Sequence, residues 1–219
     1  MDYFVSCEGD TEKWYLEWLQ NKINGDIRTK EKVKFIFKNI MPSSFAKSNA
    51  GTFTKAMIAG TTFCRIQDIE DYSKSHIESF YNLLKSNKTA KQLFKQYNFV
   101  IGYSNYTFEV WIIAHKTQVK AVIDRSQYYK QINSAYNMNF VDNDDYKHEK
   151  NFKSILKMLS LDDIIQNALP ECIRFKSQNR INNGHLMRQM YGFNYILSNP
   201  DTTLDDFIKG VLINSGIIQ

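Results

Sequence analysis

Four short segments, residues 3–7 (YFVSC), 33–40 (VKFIFKNI), 61–66 (TTFCRI) and 97–103 (YNFVIGY), are apolar and rich in aromatic and β-branched side chains. Each reads as a strand. The stretches between and after them have the spacing of helices. Trp14, Tyr15, Trp18 and Leu19 recur at i, i+1, i+4 and i+5; residues 43–59 are helical in pattern and closed by Gly60; Ile77, Phe80, Tyr81 and Leu84 mark a third helix, and residues 107–115 a short apolar one. Strands alternating with helices predict a parallel α/β sheet of about four strands flanked by helices. The ligand site of such a sheet lies outside the carboxyl ends of its strands.

Beyond residue 116 the pattern changes to helices and loops without strong strands. Residues 142–145 read as an acidic loop, 146–159 as a helix, 162–163 as a helix start, and 204–213 as a last helix after Pro200. The organisation expected is therefore an α/β core over 1–118 and a mainly helical C-terminal region over 119–219 packed on it. No Gly/Ser/Pro-rich linker marks the boundary, and no internal repeat is visible. Of 219 residues, 43% are hydrophobic and 23% charged, which excludes a disordered chain. No run approaches the roughly 18 apolar residues of a membrane helix. The first residues lack a basic stretch followed by an apolar one, so a cytoplasmic chain with no membrane partner is expected. Cys7, Cys64 and Cys172 are scattered without metal or disulfide spacing and read as small buried hydrophobes.

The balance of 28 Lys plus Arg against 23 Asp plus Glu gives +5, compatible with a nucleic-acid partner without requiring one. Its distribution says more. Between Lys13 and Lys47 eight basic residues face three acids. Between Cys172 and Pro200 there is no acid, while Arg174, Lys176, Arg180, His185 and Arg188 stand among amides. Arg174, Lys176, Arg180 and Arg188 are the phosphate-contact candidates, against the simpler alternative of a solvated face.

Carboxylates stand at three strand ends: Glu8 and Glu12 after the first, Asp68, Glu70 and Asp71 after the third, and Glu109 after the fourth. Glu12 lies one helical turn beyond Glu8, and strand alternation puts Asp68 and Glu70 on one face. Like charges gathered at one sheet edge call for a cation, and hard oxygen donors suit Mg²⁺ or Mn²⁺. Two such ions about 4 Å apart activate water and stabilise the leaving oxygen of a phosphodiester, so phosphoryl transfer is the chemistry implied. Acids in the first turn also cap helices, and the pattern leaves capping and metal binding side by side. His115 reads as a general base or, more simply, as a core histidine, and Ser104 and Asn105 as phosphate donors or turn residues. No Gly-x-x-x-x-Gly-Lys-Ser/Thr segment is present, so a nucleotide-hydrolysing function falls to a partner.

Glu8-Gly9-Asp10-Thr11-Glu12 followed by aromatics, Asp68-Ile69-Glu70-Asp71, Ser104-Asn105-Tyr106-Thr107-Phe108-Glu109-Val110-Trp111, and Asn199-Pro200-Asp201-Thr202-Thr203 together resemble the RloB family, related to the AbiL abortive-infection component. The resemblance spans nearly the whole chain, and its most specific part is Ser-Asn-x-x-Phe-Glu-x-Trp. It implies a Toprim-like (Rossmann-like) catalytic fold and a nuclease effector of anti-phage defence, licensed by an ABC-type ATPase and cutting nucleic acid, either RNA such as tRNA or DNA. Glu8, Asp68, Glu70 and Glu109 would then be catalytic. Glu8, Glu12, Asp68, Glu70, Asp71 and Glu109 would bind Mg²⁺ or Mn²⁺, and Lys150 would stabilise the charge that develops on phosphorus. An oligomer is compatible with this reading. One departure stands out: Glu70 occupies the place of the second Asp of an Asp-x-Asp pair. It favours the alternative of a catalytically weak module that docks on the ATPase or senses a phage component.

Overall fold

The computed structural model describes residues 1–37 and 60–219. The expected helix over 43–59, the end of the second strand, and Lys38 and Lys47 lie outside the described residues. The elements are β1 (Asp2–Ser6), α1 (Asp10–Gly25), β2 (Lys34–Phe37), β3 (Thr62–Asp68), α2 (Lys74–Leu93), β4 (Asn98–Asn105) and α3 (Glu109–Ala114). Next come α4 (Tyr128–Tyr136), α5 (Asn143–Lys147), α6 (Glu149–Lys157) and α7 (Leu161–Asp163), which passes through a π turn into α8 (Leu169–Asn183). The chain ends with β5 (Met187–Met190), β6 (Phe193–Ile196), β7 (Asp201–Thr202) and α9 (Leu204–Ser215). No described helix is long and apolar enough to cross a membrane.

The sheet has five strands in the order β2-β1-β3-β4-β7. All neighbours are parallel except β7, which adds antiparallel to β4. β7 exceeds the four strands expected. Only two residues long, it carries no periodicity to read; it is specified by pairing, with Ser104 opposite Thr202 and Asn105 opposite Asp201. The Ser-Asn and Asn-Pro-Asp-Thr segments of the sequence are thus one structural unit. Asn105 Nδ2 donates to the carbonyls of Ile196 (2.9 Å) and Ser198 (3.1 Å), and Asn199 binds both the N–H and the C=O of Val122.

Both sheet faces are covered, as parallel sheets require. On one face Phe4, Phe63 and Phe99 lie in register on three adjacent strands, with adjacent ring centroids 5.2 Å apart. On the other face Tyr3, Val5, Cys64 and Ile66 join a buried cluster that includes Tyr15 and Leu16 of α1, Trp111 of α3 and Phe207 of α9. Of the aromatic repeat on α1, Trp14 and Trp18 flank this cluster half-buried, and Leu16 and Ile23 join Tyr15 and Leu19 in the buried stripe. After Glu109, helix α3 is apolar all round and central: Val110 through Ala114 are each at most 1% exposed.

The C-terminal half departs from expectation in two places, the first of which bears on the site. The helix expected over 146–159 starts earlier and is broken. Asp142 caps α5 by accepting the Asp145 N–H, and at His148 the backbone turns extended (ψ 134°) before α6 begins. The chain also forms the hairpin β5/β6, turned by Tyr191 (φ 54°) and Gly192 (φ 81°), a left-handed pair that suits a two-residue hairpin.

Candidate functional site

The carboxyl ends of β1 and β3 are tied by a polar chain. Arg65 on β3 donates through Nη1 to Ser6 Oγ (2.5 Å) and the Cys7 carbonyl (3.3 Å), and through Nη2 to Gln67 Oε1 (2.9 Å). Gln67 Nε2 in turn donates to Glu8 Oε2 at 2.8 Å, and the same oxygen accepts the Asp68 N–H at 2.8 Å. Glu8 therefore lies across the end of β3 although it belongs to the end of β1. It borders a pocket of about 500 Å³ whose lining includes Gly9, Lys13, Phe37 and Arg65.

Glu12, one turn into α1, is 3% exposed. Its Oε2 accepts from Thr11 Oγ1 (3.1 Å) and folds back over the helix start, where a Cβ on Gly9 would stand 3.0 Å from it. A glycine at position 9 leaves room for that approach. Asp68 Oδ2 accepts the Phe108 N–H (3.2 Å), fastening β3 to the turn before α3, while its Oδ1 is buried and without a hydrogen bond among the described residues. Glu109, the first residue of α3, is 3% exposed. Lys147 Nζ stands 3.2 Å from its Oε1, and its Oε2 is buried and unpartnered among the described residues.

The electrostatics join these groups. Burial pushes the Asp68 carboxyl well above the usual carboxylate range, and the charges of Glu12, Glu109 and Glu8 push it further. Glu12 is raised by burial and by Glu109. The Lys147 ammonium is held protonated above its ordinary value by Glu109 first, then by Asp68 and Glu12. Tyr146, fully buried with its hydroxyl unpartnered among the described residues, is raised by burial and by the same acids. Four carboxylates from three strand ends thus share one field with Tyr146 and Lys147. Beside them, burial and then Glu12 push the Cys7 thiol far up, which disfavours its thiolate.

Two of the expected acids are elsewhere engaged. β3 ends at Asp68, and Glu70 takes a left-handed φ of 62°, so the alternation that would put Asp68 and Glu70 on one face stops at Asp68 and does not reach Glu70. Glu70 pairs with Arg125 (2.6 Å) and His76 Nε2 (2.8 Å). Asp71 pairs with His76 Nδ1 (2.8 Å) and accepts the Ser73 N–H (2.7 Å), and its carboxyl is lowered to about 2, chiefly by Ser73.

Lys150 lies apart, lining a surface depression with His148, Glu149, Asn151 and Lys153. The helix break at His148 gives the carboxylates Lys147 instead. Of the basic candidates, Arg174 pairs with Glu171 (2.5 Å) and Lys176 with Asp205 (2.7 Å), while Arg188 donates to the His185 and Met187 carbonyls. Arg180 is exposed. Ser104 and Asn105 are bound into the β4–β7 junction. His115 is the core histidine: Nδ1 bonds the Trp111 carbonyl (2.8 Å), Nε2 meets Tyr15 Oη (3.1 Å), and burial lowers the ring to about 4.

Gln67, Arg65, Tyr146 and Lys147 went unread in the sequence. The first two had a signal, polar residues alternating with Cys64 and Ile66 at the end of a buried strand. Among the described residues, no three His, Cys, Asp or Glu side chains are arranged to hold a metal ion as they stand. The donor chemistry suits a hard cation, with bare oxygens on Asp68 and Glu109, but the arrangement places an ammonium among them. A family model for RloB-like proteins matches residues 3–211. No curated protein and no solved structure gave a match.

Proposed function

The chain belongs to the RloB-like family, and from that premise we propose that it is a divalent-metal-dependent nuclease of Toprim-like design, the effector of an anti-phage abortive-infection system licensed by an ABC-type ATPase. The observation that carries this reading is the gathering of Glu8, Glu12, Asp68 and Glu109 from three strand ends, with buried, unpartnered oxygens on Asp68 and Glu109. A cluster with that much mutual repulsion is unfavourable in a protein with no use for it. Mg²⁺ or Mn²⁺ held there would supply an activated water and a stabilised leaving oxygen. The chain's own residues do the rest: Gln67 and the Asp68 N–H orient Glu8, and the adjoining pocket sets the cations Lys13 and Arg65 beside the acids Glu8 and Asp10. The substrate class is nucleic acid, RNA such as tRNA or DNA.

The test is to incubate the full chain, together with its ATPase partner, with plasmid, single-stranded DNA and total RNA in Mn²⁺ or EDTA. Cleavage of one of these that EDTA abolishes is expected. No cleavage of any of them under licensed conditions would overturn the reading.

A second reading has its own support. Glu70 is engaged by Arg125 and His76, and no three-ligand metal arrangement stands preformed among the described residues, as suits a catalytically weak docking module. Defence that survives Glu8→Gln would favour it.

A further inference from the structure

We propose that Lys147 is a tethered occupant of the carboxylate cluster, whose ammonium takes the place of a divalent cation in the resting protein and leaves when such an ion binds. The inference rests on the metal reading above and adds a device to it. Its geometry is asymmetric. Glu109 gives one oxygen to Lys147 at 3.2 Å and keeps the other bare, and Asp68 likewise keeps Oδ1 bare. The acids are therefore neutralised in part and not saturated, and a cation carrying two charges in that space would find the two oxygens that the ammonium leaves bare.

Lys147 is also built to leave. It is the last residue of the five-residue helix α5, just before the chain turns extended at His148, and its side chain is 44% exposed while that of Glu109 is 4% exposed. The stem thus runs from the surface inward, with only its tip at the buried acid. A compact ammonium on a flexible four-carbon stem can swing out without moving the backbone. Tyr146, the preceding residue, stays anchored, being fully buried against Phe152 with ring centroids 5.7 Å apart. A cation and a divalent ion cannot share the cluster without mutual repulsion, so entry of one favours exit of the other. The released ammonium then stands at the rim, positioned to meet an incoming phosphate.

The experiment titrates Mn²⁺ alone into the 219-residue chain, Lys147→Met and Lys147→Gln, with melting temperatures in EDTA and amine-reactive labelling of Lys147 followed by mass spectrometry. Lys147→Gln keeps a hydrogen-bond donor for Glu109 and guards against a folding failure of Lys147→Met. Both variants are expected to melt lower in EDTA and to bind Mn²⁺ about tenfold more tightly, a change of about 1.4 kcal/mol. Labelling of Lys147 in the unsubstituted protein should rise when Mn²⁺ saturates. Equal or weaker Mn²⁺ binding by the variants, or labelling unchanged at saturation, overturns the proposal and leaves the metal reading standing. Absence of Mn²⁺ binding in all three proteins overturns both.

Discussion

Glu8 Oε2 accepts the backbone N–H of Asp68 at 2.8 Å, so the carboxylate that ends one strand is fixed by the residue that supplies the carboxylate of the next. The second hold on Glu8 is Gln67, itself gripped by Arg65. Gln67→Leu removes that hold and leaves the rest of the strand intact. A hydrogen bond of this kind contributes about 1 kcal/mol. The expected result is a small fall in melting temperature with a clear loss of cleavage, because Glu8 is then held by the Asp68 N–H alone and pivots about that bond. A variant with normal cleavage would show that Glu8 needs no orienting.

Glu70 and Asp68 should part company when substituted. Glu70→Gln weakens partly exposed pairs with Arg125 and His76, worth about 0–1 kcal/mol, and should leave Mn²⁺ binding near that of the unsubstituted protein. Asp68→Asn should reduce Mn²⁺ binding severely, yet the metal-free protein should melt no lower, since a raised, buried carboxylate is relieved. Calorimetric titration of both variants decides it. Equal losses would return Glu70 to the ligand set.

The basic zone of α8 divides in the same way. Lys176 neutralises Asp205, whose side chain is 5% exposed, and breaking a buried pair from one side costs about 3–5 kcal/mol. Lys176→Met should therefore unfold readily and bind nucleic acid poorly for that reason alone. Arg180→Ala, at an exposed position, should keep the melting temperature and reduce the salt dependence of nucleic-acid binding by about one counterion. Salt-dependent binding left unchanged by Arg180→Ala would remove this face from the nucleic-acid path.

Stability should also depend on pH through Asp201. Burial raises its carboxyl from 3.8 to about 8, and Tyr103 Oη donates to it. Because the folded state holds this proton more tightly than the unfolded chain, the stabilisation is complete below the unfolded value and is lost as pH rises from about 4 through about 8. Asp201→Asn should flatten the decline in melting temperature over that range. Some slope should remain, since Asp68 and Glu12 are raised as well. An unchanged profile would mean that Asp201 is ionised in the fold.

Strand ends and first-turn acids are local features, and Glu8, Glu12, Asp68 and Glu109 were legible for that reason. The site's cation was not. Tyr146 to Lys150 reads as one helix, and only the break at His148 decides that Lys147, not Lys150, reaches Glu109. Glu70 escapes the alternation rule because it lies two residues past Asp68, the last residue that keeps the strand. β7 and the β5/β6 hairpin escape the sequence because a two-residue strand has no period and Tyr191-Gly192 is not among the strong turn pairs.

The most direct measurement of the proposed activity compares cleavage in Mn²⁺ by the 219-residue chain with its ATPase partner and by Glu8→Gln and Asp68→Asn, across plasmid, single-stranded DNA and total RNA. Each variant keeps size and polarity and removes one charge from the cluster. Cleavage should collapse in both by about a hundredfold or more, the scale of losing a group that acts on the transition state, with melting temperatures in EDTA unchanged or higher. Cleavage preserved in both variants would contradict the account.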